Sequence, residues 1–125
     1  MTHQFVRRVL PLAAAFFGLA LFTNTARAQA DAAQIAKGDS LFNANRLGAC
    51  WACHGAKGKG TSTAPKLADK EWLSIDGSLD AIKGVINNGI PKPKKTKTPM
   101  PPMGGGKLTP EEVDAIAAYV FKLSH

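Results

Sequence analysis

The sequence predicts an all-α domain. Three observations carry that reading. Apolar residues recur at three- and four-residue spacing in separate stretches. Two of those stretches open on helix-capping residues. Nowhere does the chain alternate with the period of two that a half-buried strand requires.

The first thirty residues stand apart from that domain. Arg7 and Arg8 supply a positive start, and Val9 to Phe22 is an apolar run of 14 residues. A membrane span needs roughly 18 or more. Ala26-Arg27-Ala28 and Ala28-Gln29-Ala30 then offer small-residue cleavage patterns. This is the layout of a secretory signal peptide, with a retained N-terminal anchor as the alternative. Residues 1–30 are therefore expected to be the signal, and residues 31–125 a single domain destined for the periplasm. A domain of that size buries only about two-thirds of its unfolded surface, so a staple or a large apolar ligand would help it. The whole chain carries a formal +7, but residues 31–125 hold 13 Lys/Arg against 9 Asp/Glu. That mild excess does not imply nucleic acid.

Residues 31–45 read as the first helix, with Ile35, Gly38, Leu41 and Phe42 on one face and Gly38 marking a close approach. It should end near Asn45, ahead of Leu47-Gly48. Residues 55–64 are loop by composition. Residues 67–73 suggest a short helical turn with Trp72 inward. Ser78 is a suitable N-cap for LDAIKGVINN, Gly89 suits a left-handed C-cap, and Leu79, Ile82, Val85 and Ile86 form the apolar face between them. Residues 90–106 are too rich in proline for regular structure. The last helix is capped by Thr109, with Pro110 first and Glu112 completing a capping box. Val113, Ile116, Ala117, Val120 and Leu123 mark its buried stripe.

The chemistry concentrates in CWACHGAKGKG, residues 50–60, which holds both cysteines. A Cys50–Cys53 disulfide would close too small a loop to brace the fold. A structural zinc site wants four ligands, and the other histidines are His3 and His125. A thiol–disulfide exchange site usually sits within a βαβ pattern, and it leaves His54 without a role. Covalent haem attachment uses all three residues. Cysteines at i and i+3 share one face of a helical turn and can each form a thioether, and His54 follows as an iron ligand. A second axial donor is needed, and Met100 and Met103 are the methionines after Met1. A His/Met pair raises the potential of haem iron and suits electron transfer. With both axial positions filled by protein, no coordination site stays open for a substrate.

In these respects the chain resembles the class I c-type cytochromes, small monohaem electron carriers. The matching pieces are the Gly38–Phe42 helix, CWACHGAKGKG, APKLADKEWL, GSLDAIKGVINNGIP, MPPMGG and LTPEEVDAIAAYVFKLS. The resemblance implies three to four helices around one covalently bound haem c. It implies that Cys50 and Cys53 attach the haem, that His54 is the proximal ligand, and that Met100 is the distal one, with Met103 as the alternative. It also implies that the Pro65 carbonyl accepts the other ring N–H of His54 and that Trp72 lies near the propionates. Gly38 and Phe42 would cross the terminal helix near Tyr119.

Lys92, Lys94, Lys95 and Lys97, just before Met100, depart from the shorter and less charged segment common in that family. A charge run can be simply a solvated face. Its functional reading is a patch that steers a redox partner with an acidic docking surface. The expected function is a soluble, monomeric periplasmic carrier that is not an enzyme. It would shuttle electrons between a dehydrogenase or quinol-oxidising complex and a terminal acceptor, without stable membrane insertion after signal cleavage. A dedicated haem subunit of a periplasmic dehydrogenase complex and a haem-free thiol–disulfide protein are the alternatives.

Overall fold

The structure, a computed structural model, describes the backbone of residues 19–44 and 50–125, and side chains from residue 31 onward. Most of the expected signal segment, and Asn45 and Leu47-Gly48 near the expected end of the first helix, lie outside the described residues. Four helices follow one another: α1 (Leu19–Phe42), α2 (Cys50–His54), α3 (Leu79–Asn88) and α4 (Pro110–Ser124). Short 3-10 turns occupy Ala56–Gly58 and Pro102–Gly105. The only strand-like pairing among the described residues is one isolated bridge, so the fold is all-α.

Helix α1 begins well before Asp31, because TNTARAQADAAQ contains neither Gly nor Pro and its alanines favour helix. It stops at Phe42 rather than Asn45. There the Asn43 amide donates to the Asp39 carbonyl at 3.0 Å and to the Asp39 carboxylate at 2.7 Å, local bonds that compete with further helix.

Gly38 decides how α1 meets α4. A Cβ at this position would lie 2.6 Å from the Ala115 carbonyl carbon and 2.8 Å from Tyr119 Cβ. The two helix backbones therefore touch with no side chain between them. One turn on, Phe42 packs against the Tyr119 ring with centroids 5.5 Å apart and tilted by 57°, a favourable aromatic geometry. The Gly38–Phe42 crossing near Tyr119 is as expected.

Helix α4 carries the expected cap. Thr109 Oγ1 accepts from Glu112 N–H at 3.3 Å, and Glu112 Oε2 accepts from Thr109 N–H at 2.9 Å. Val113, Ile116, Ala117 and Val120 are buried, with Leu123 half-buried. Ala115, Tyr119 and Ser124 are buried as well, since α1 covers a second face that a single stripe did not anticipate.

Helix α3 packs against the opposite flank of α4 through Ile82 and Ile86. Ser78 Oγ accepts from Ala81 N–H at 3.3 Å as the N-cap. Leu79, expected on the buried face, is exposed at the helix's first position. Lys83 pairs with Asp114 at 2.8 Å between the two helices, a partly exposed contact worth under about 1 kcal/mol.

Two local expectations need correction. Residues 67–73 form no helical turn, because the Leu67 and Ala68 N–H groups both donate to the Gly58 carbonyl, at 2.8 and 3.1 Å. The backbone donors that would start a turn are thus used by the preceding loop. Trp72 is nevertheless half-buried against the core. Residues 90–106 are not wholly irregular: Ile90 and Met100 form the isolated bridge. Pro102 also opens a 3-10 turn, at the position where its missing N–H is no loss. Among the described residues no helix is long and apolar enough to cross a membrane.

Two substitutions separate close helix contact from simple helix propensity. Gly38→Val should lower unfolding free energy by about 3 kcal/mol, since the added volume can be accommodated only by parting α1 from α4. Gly84→Ala in α3, where a Cβ meets nothing within 4 Å, should raise it by about 0.5–1 kcal/mol. Chemical denaturation of the two purified variants beside the parent reads both effects.

Candidate functional site

An apolar cleft lies among α3, the 63–75 segment and the 90–101 segment. The empty space in and around it, open solvent included, is about 1230 Å³. Phe42, Ile116 and Val120 contribute from the α1–α4 core, and Ile82, Val85 and Ile86 contribute from α3. The cleft wall also contains Cys50, Cys53, His54, Pro65, Trp72 and Met100. The structure thus gathers residues spread over half the chain.

Helix α2 presents three of them. Cys50 and Cys53 sit one turn apart, half-buried, with both thiols free. Burial pushes the Cys50 thiol up from its ordinary value, and the neighbouring Cys53 adds to that, against a smaller opposing effect from a backbone hydrogen bond. A thiol held protonated in this way lacks the depressed pKa of a disulfide-exchange nucleophile.

His54 ends α2 and is buried. Its Nδ1 lies 3.0 Å from the Pro65 carbonyl oxygen. A carbonyl can only accept, so Nδ1 carries the proton and Nε2 keeps its lone pair. Burial pushes the His54 pKa down from its usual value, with the Pro65 hydrogen bond opposing. The ring is therefore a neutral imidazole at neutral pH, the form that binds a metal.

The Pro65 carbonyl is itself held in place by a residue that sequence reasoning missed. Thr61 Oγ1 donates to the Cys53 carbonyl and accepts from the Thr63 N–H at 3.0 Å. The Thr61 N–H donates to the Ala64 carbonyl at 3.1 Å. These bonds fold residues 61–64 back onto α2 and deliver Pro65 to His54. A threonine followed by small polar residues is a recognisable local turn former, but nothing in the sequence says which distant carbonyl its hydroxyl will reach.

The two methionines part company. Met100 lines the cleft. Met103 does not: it packs against the core beside Leu108, and its Sδ accepts the Leu108 N–H at 3.5 Å. The lysines also divide. Lys95 Nζ lies 3.8 Å from Glu71 Oε1, and both residues line the cleft. Lys92, Lys94 and Lys97 are exposed and make no ion pair among the described residues.

The donor set fits haem. The residues that carry two thiols able to form thioethers, an unprotonated imidazole nitrogen and a thioether sulfur all line one apolar cleft. Among the described residues no three His, Cys, Asp or Glu side chains converge as a metal cluster.

Comparison with known proteins points the same way. Residues 35–124 match the family described as Cytochrome c. The chain is 37% identical to cytochrome c6 of Nostoc sp. over 106 residues, which is 83% of this chain and 84% of that protein. It is 34% identical over 119 residues to chloroplastic cytochrome c6 of Chlamydomonas reinhardtii, 91% of this chain and 72% of that protein. It is also 38% identical over 94 residues to the Cbb3-type cytochrome c oxidase subunit CcoP of Rubrivivax gelatinosus. That match takes in 75% of this chain but only 27% of the CcoP subunit. No solved structure matches. The chain therefore belongs to the cytochrome c family as a class I member, a family that carries covalent haem c, and its Cys50, Cys53 and His54 fit that family's attachment motif.

Proposed function

We propose that this protein is a soluble, monomeric periplasmic carrier with one haem, held by Cys50 and Cys53 and ligated by His54 and Met100. The observation that carries the reading is the presence of Met100 in the same apolar cleft as Cys50, Cys53 and His54, with Met103 packed elsewhere. Bound haem supplies a one-electron Fe(III)/Fe(II) couple, and a His/Met pair sets it at a raised potential.

The chain's own residues do the rest. Pro65 fixes the His54 tautomer and ring orientation, and by accepting the Nδ1 proton it strengthens Nε2 as a ligand. Met100 would supply the second protein ligand to the iron and so deny that position to small molecules. Trp72, half-buried at the cleft, serves the propionate side. The apolar residues of α3 and α4 exclude water. Export through the signal in residues 1–30 delivers the chain to the periplasm, and Lys92, Lys94 and Lys97, with Lys95 beside them, meet acidic surfaces of redox partners.

A second reading has its own support. CcoP is named as an oxidase subunit, and the likeness is confined to about a quarter of it. A domain of this kind could therefore also serve as a dedicated haem subunit of a larger periplasmic complex. Co-purification with a stable partner at native expression favours the subunit, and elution as a lone small protein favours the carrier.

Absorption spectra of the purified exported protein in both oxidation states test haem attachment and ligation together. The parent should show the weak long-wavelength band of ferric iron bound to sulfur. Met100→Leu should abolish that band, while Met103→Leu should retain it. The reverse pattern would transfer the ligand role to Met103.

The lysines are tested by rate. Changing Lys92, Lys94 and Lys97 together to Gln should slow electron transfer to a carboxylate-rich partner by about tenfold at low ionic strength. The difference should shrink as salt shortens the screening length. Lys95→Gln alone should do less, because Glu71 already compensates that charge. Stopped-flow rates across a salt series decide it, and an unchanged rate and salt slope would reduce the lysines to a solvated face.

A further inference from the structure

A thioether ligand is only as fixed as the main chain that carries it. Met100 follows residues 91–99, a largely exposed segment with four lysines and three prolines. Such a segment has too little buried apolar surface to hold a side chain in place. What holds Met100 comes from the end of α3.

Three observations converge there. Gly89 closes α3 with φ 67, its N–H donating to the Val85 carbonyl at 2.8 Å. Positive φ is a conformation that glycine adopts without strain. Next in the chain, Ile90 N–H donates to the Met100 carbonyl at 2.8 Å, and Met100 N–H donates to the Ile90 carbonyl at 3.0 Å. Both main-chain groups of Met100 are thus bonded to Ile90. Finally, a Cβ on Gly89 would overlap the Met100 carbonyl oxygen and lie 2.8 Å from both Pro101 C and Pro102 N. The chain carrying Met100 therefore rests directly on the Gly89 backbone. Ile82 and Ile86 anchor α3 itself in the core, and Pro101 and Pro102 restrict φ on the way out.

We propose that Gly89 is a positioning residue for Met100. Together with the Ile90–Met100 pair it forms a main-chain clamp that seats Met100 on α3 and uncouples its sulfur from the lysine-bearing loop 91–99. The proposal rests on the reading of Met100 as the iron ligand. Any side chain at position 89 meets the backbone of residues 100–102, and the overlap is relieved only by moving that backbone off α3. By contrast, changes confined to the outward lysines leave the clamp untouched.

The test uses the exported, haem-loaded protein. Gly84→Ala provides a strengthened background, because it lies on the same helix in open space. Adding Gly89→Ala should weaken the long-wavelength iron–sulfur band well below the unfolding temperature. It should also make the ferric protein bind added imidazole about tenfold more tightly, since the sulfur then occupies iron for a smaller fraction of the time. Neutralising Lys92, Lys94 and Lys97 to Gln in that background should change neither readout. If Gly89→Ala does not accumulate, Ile90→Pro removes the N–H that bonds the Met100 carbonyl, tests the same clamp, and is read in the same way. A folded variant at position 89 or 90 with full band intensity and unaltered imidazole affinity overturns the clamp, as does an equal effect from the lysine changes. Met100→Leu distinguishes the two levels: should it keep the band, the ligand assignment itself is withdrawn, and the clamp with it.

Discussion

The direct contact of α1 and α4 at Gly38 is the constraint on which the remaining geometry depends. With no side chain between them at that point, the two backbones come close enough for Phe42 to reach the Tyr119 ring. Phe42, Ile116 and Val120 then serve twice, as members of the helix-crossing core and as part of the cleft wall. Parting the helices would move the cleft wall as well as loosen the core. Helix α3 packs on α4 through Ile82 and Ile86, and these also line the cleft. A small domain has little apolar surface to spare, and here the same side chains support the frame and the cofactor site.

On that frame the reactive atoms are oriented by main-chain carbonyls rather than by charged neighbours. His54 is paired with the Pro65 carbonyl, and the Cys53 carbonyl receives the Thr61 hydroxyl. Met100 is bonded through its own backbone to Ile90. The consequence is electrostatic. Burial pushes the His54 pKa down and so favours the neutral ring, and no carboxylate belongs to the donor set. An ionised partner for His54 would add a charge within a low-dielectric cleft and alter the ligand's basicity, whereas a carbonyl fixes the tautomer with dipoles alone. The charged residues on the cleft wall are Lys66, Glu71 and Lys95, the last two facing each other at 3.8 Å.

Much of this was legible from local sequence signals. The cap at Thr109 and Glu112 and the position of Pro110 define the start of α4 because all the groups involved lie within one turn. The Cys50–Cys53–His54 spacing is likewise a property of a single helical turn. Gly38 and Phe42 showed their role because a glycine inside a helix costs stability, a cost that a close backbone crossing on its apolar face offsets. What stayed hidden depends on contacts between distant segments. LADKEWL has helix-compatible residues, yet Gly58, nine positions upstream of Leu67, takes two of its N–H groups. Leu79 matches the apolar spacing of α3 but stands where no partner covers it. That Met100 lines the cleft while Met103 accepts the Leu108 N–H depends on how the 100–108 chain folds back. Fold class and attachment residues were thus readable, while the bonds that aim them were not.

The Ile90–Met100 pair also explains how the chain carries a charged segment beside the cleft. Closing a loop costs free energy that grows only slowly with its length, so residues between two already joined points can be lengthened cheaply. Because Ile90 and Met100 are bonded to each other, residues 91–99 form an excursion that leaves and returns to one place. Their exposed lysines can move with the loop, while Ile90 and Gly89 bear on the methionine's backbone. An exposed charged loop and a half-buried methionine at the cleft place opposing demands on neighbouring residues. A two-bond main-chain bridge at the junction allows both to be met within one short stretch of chain.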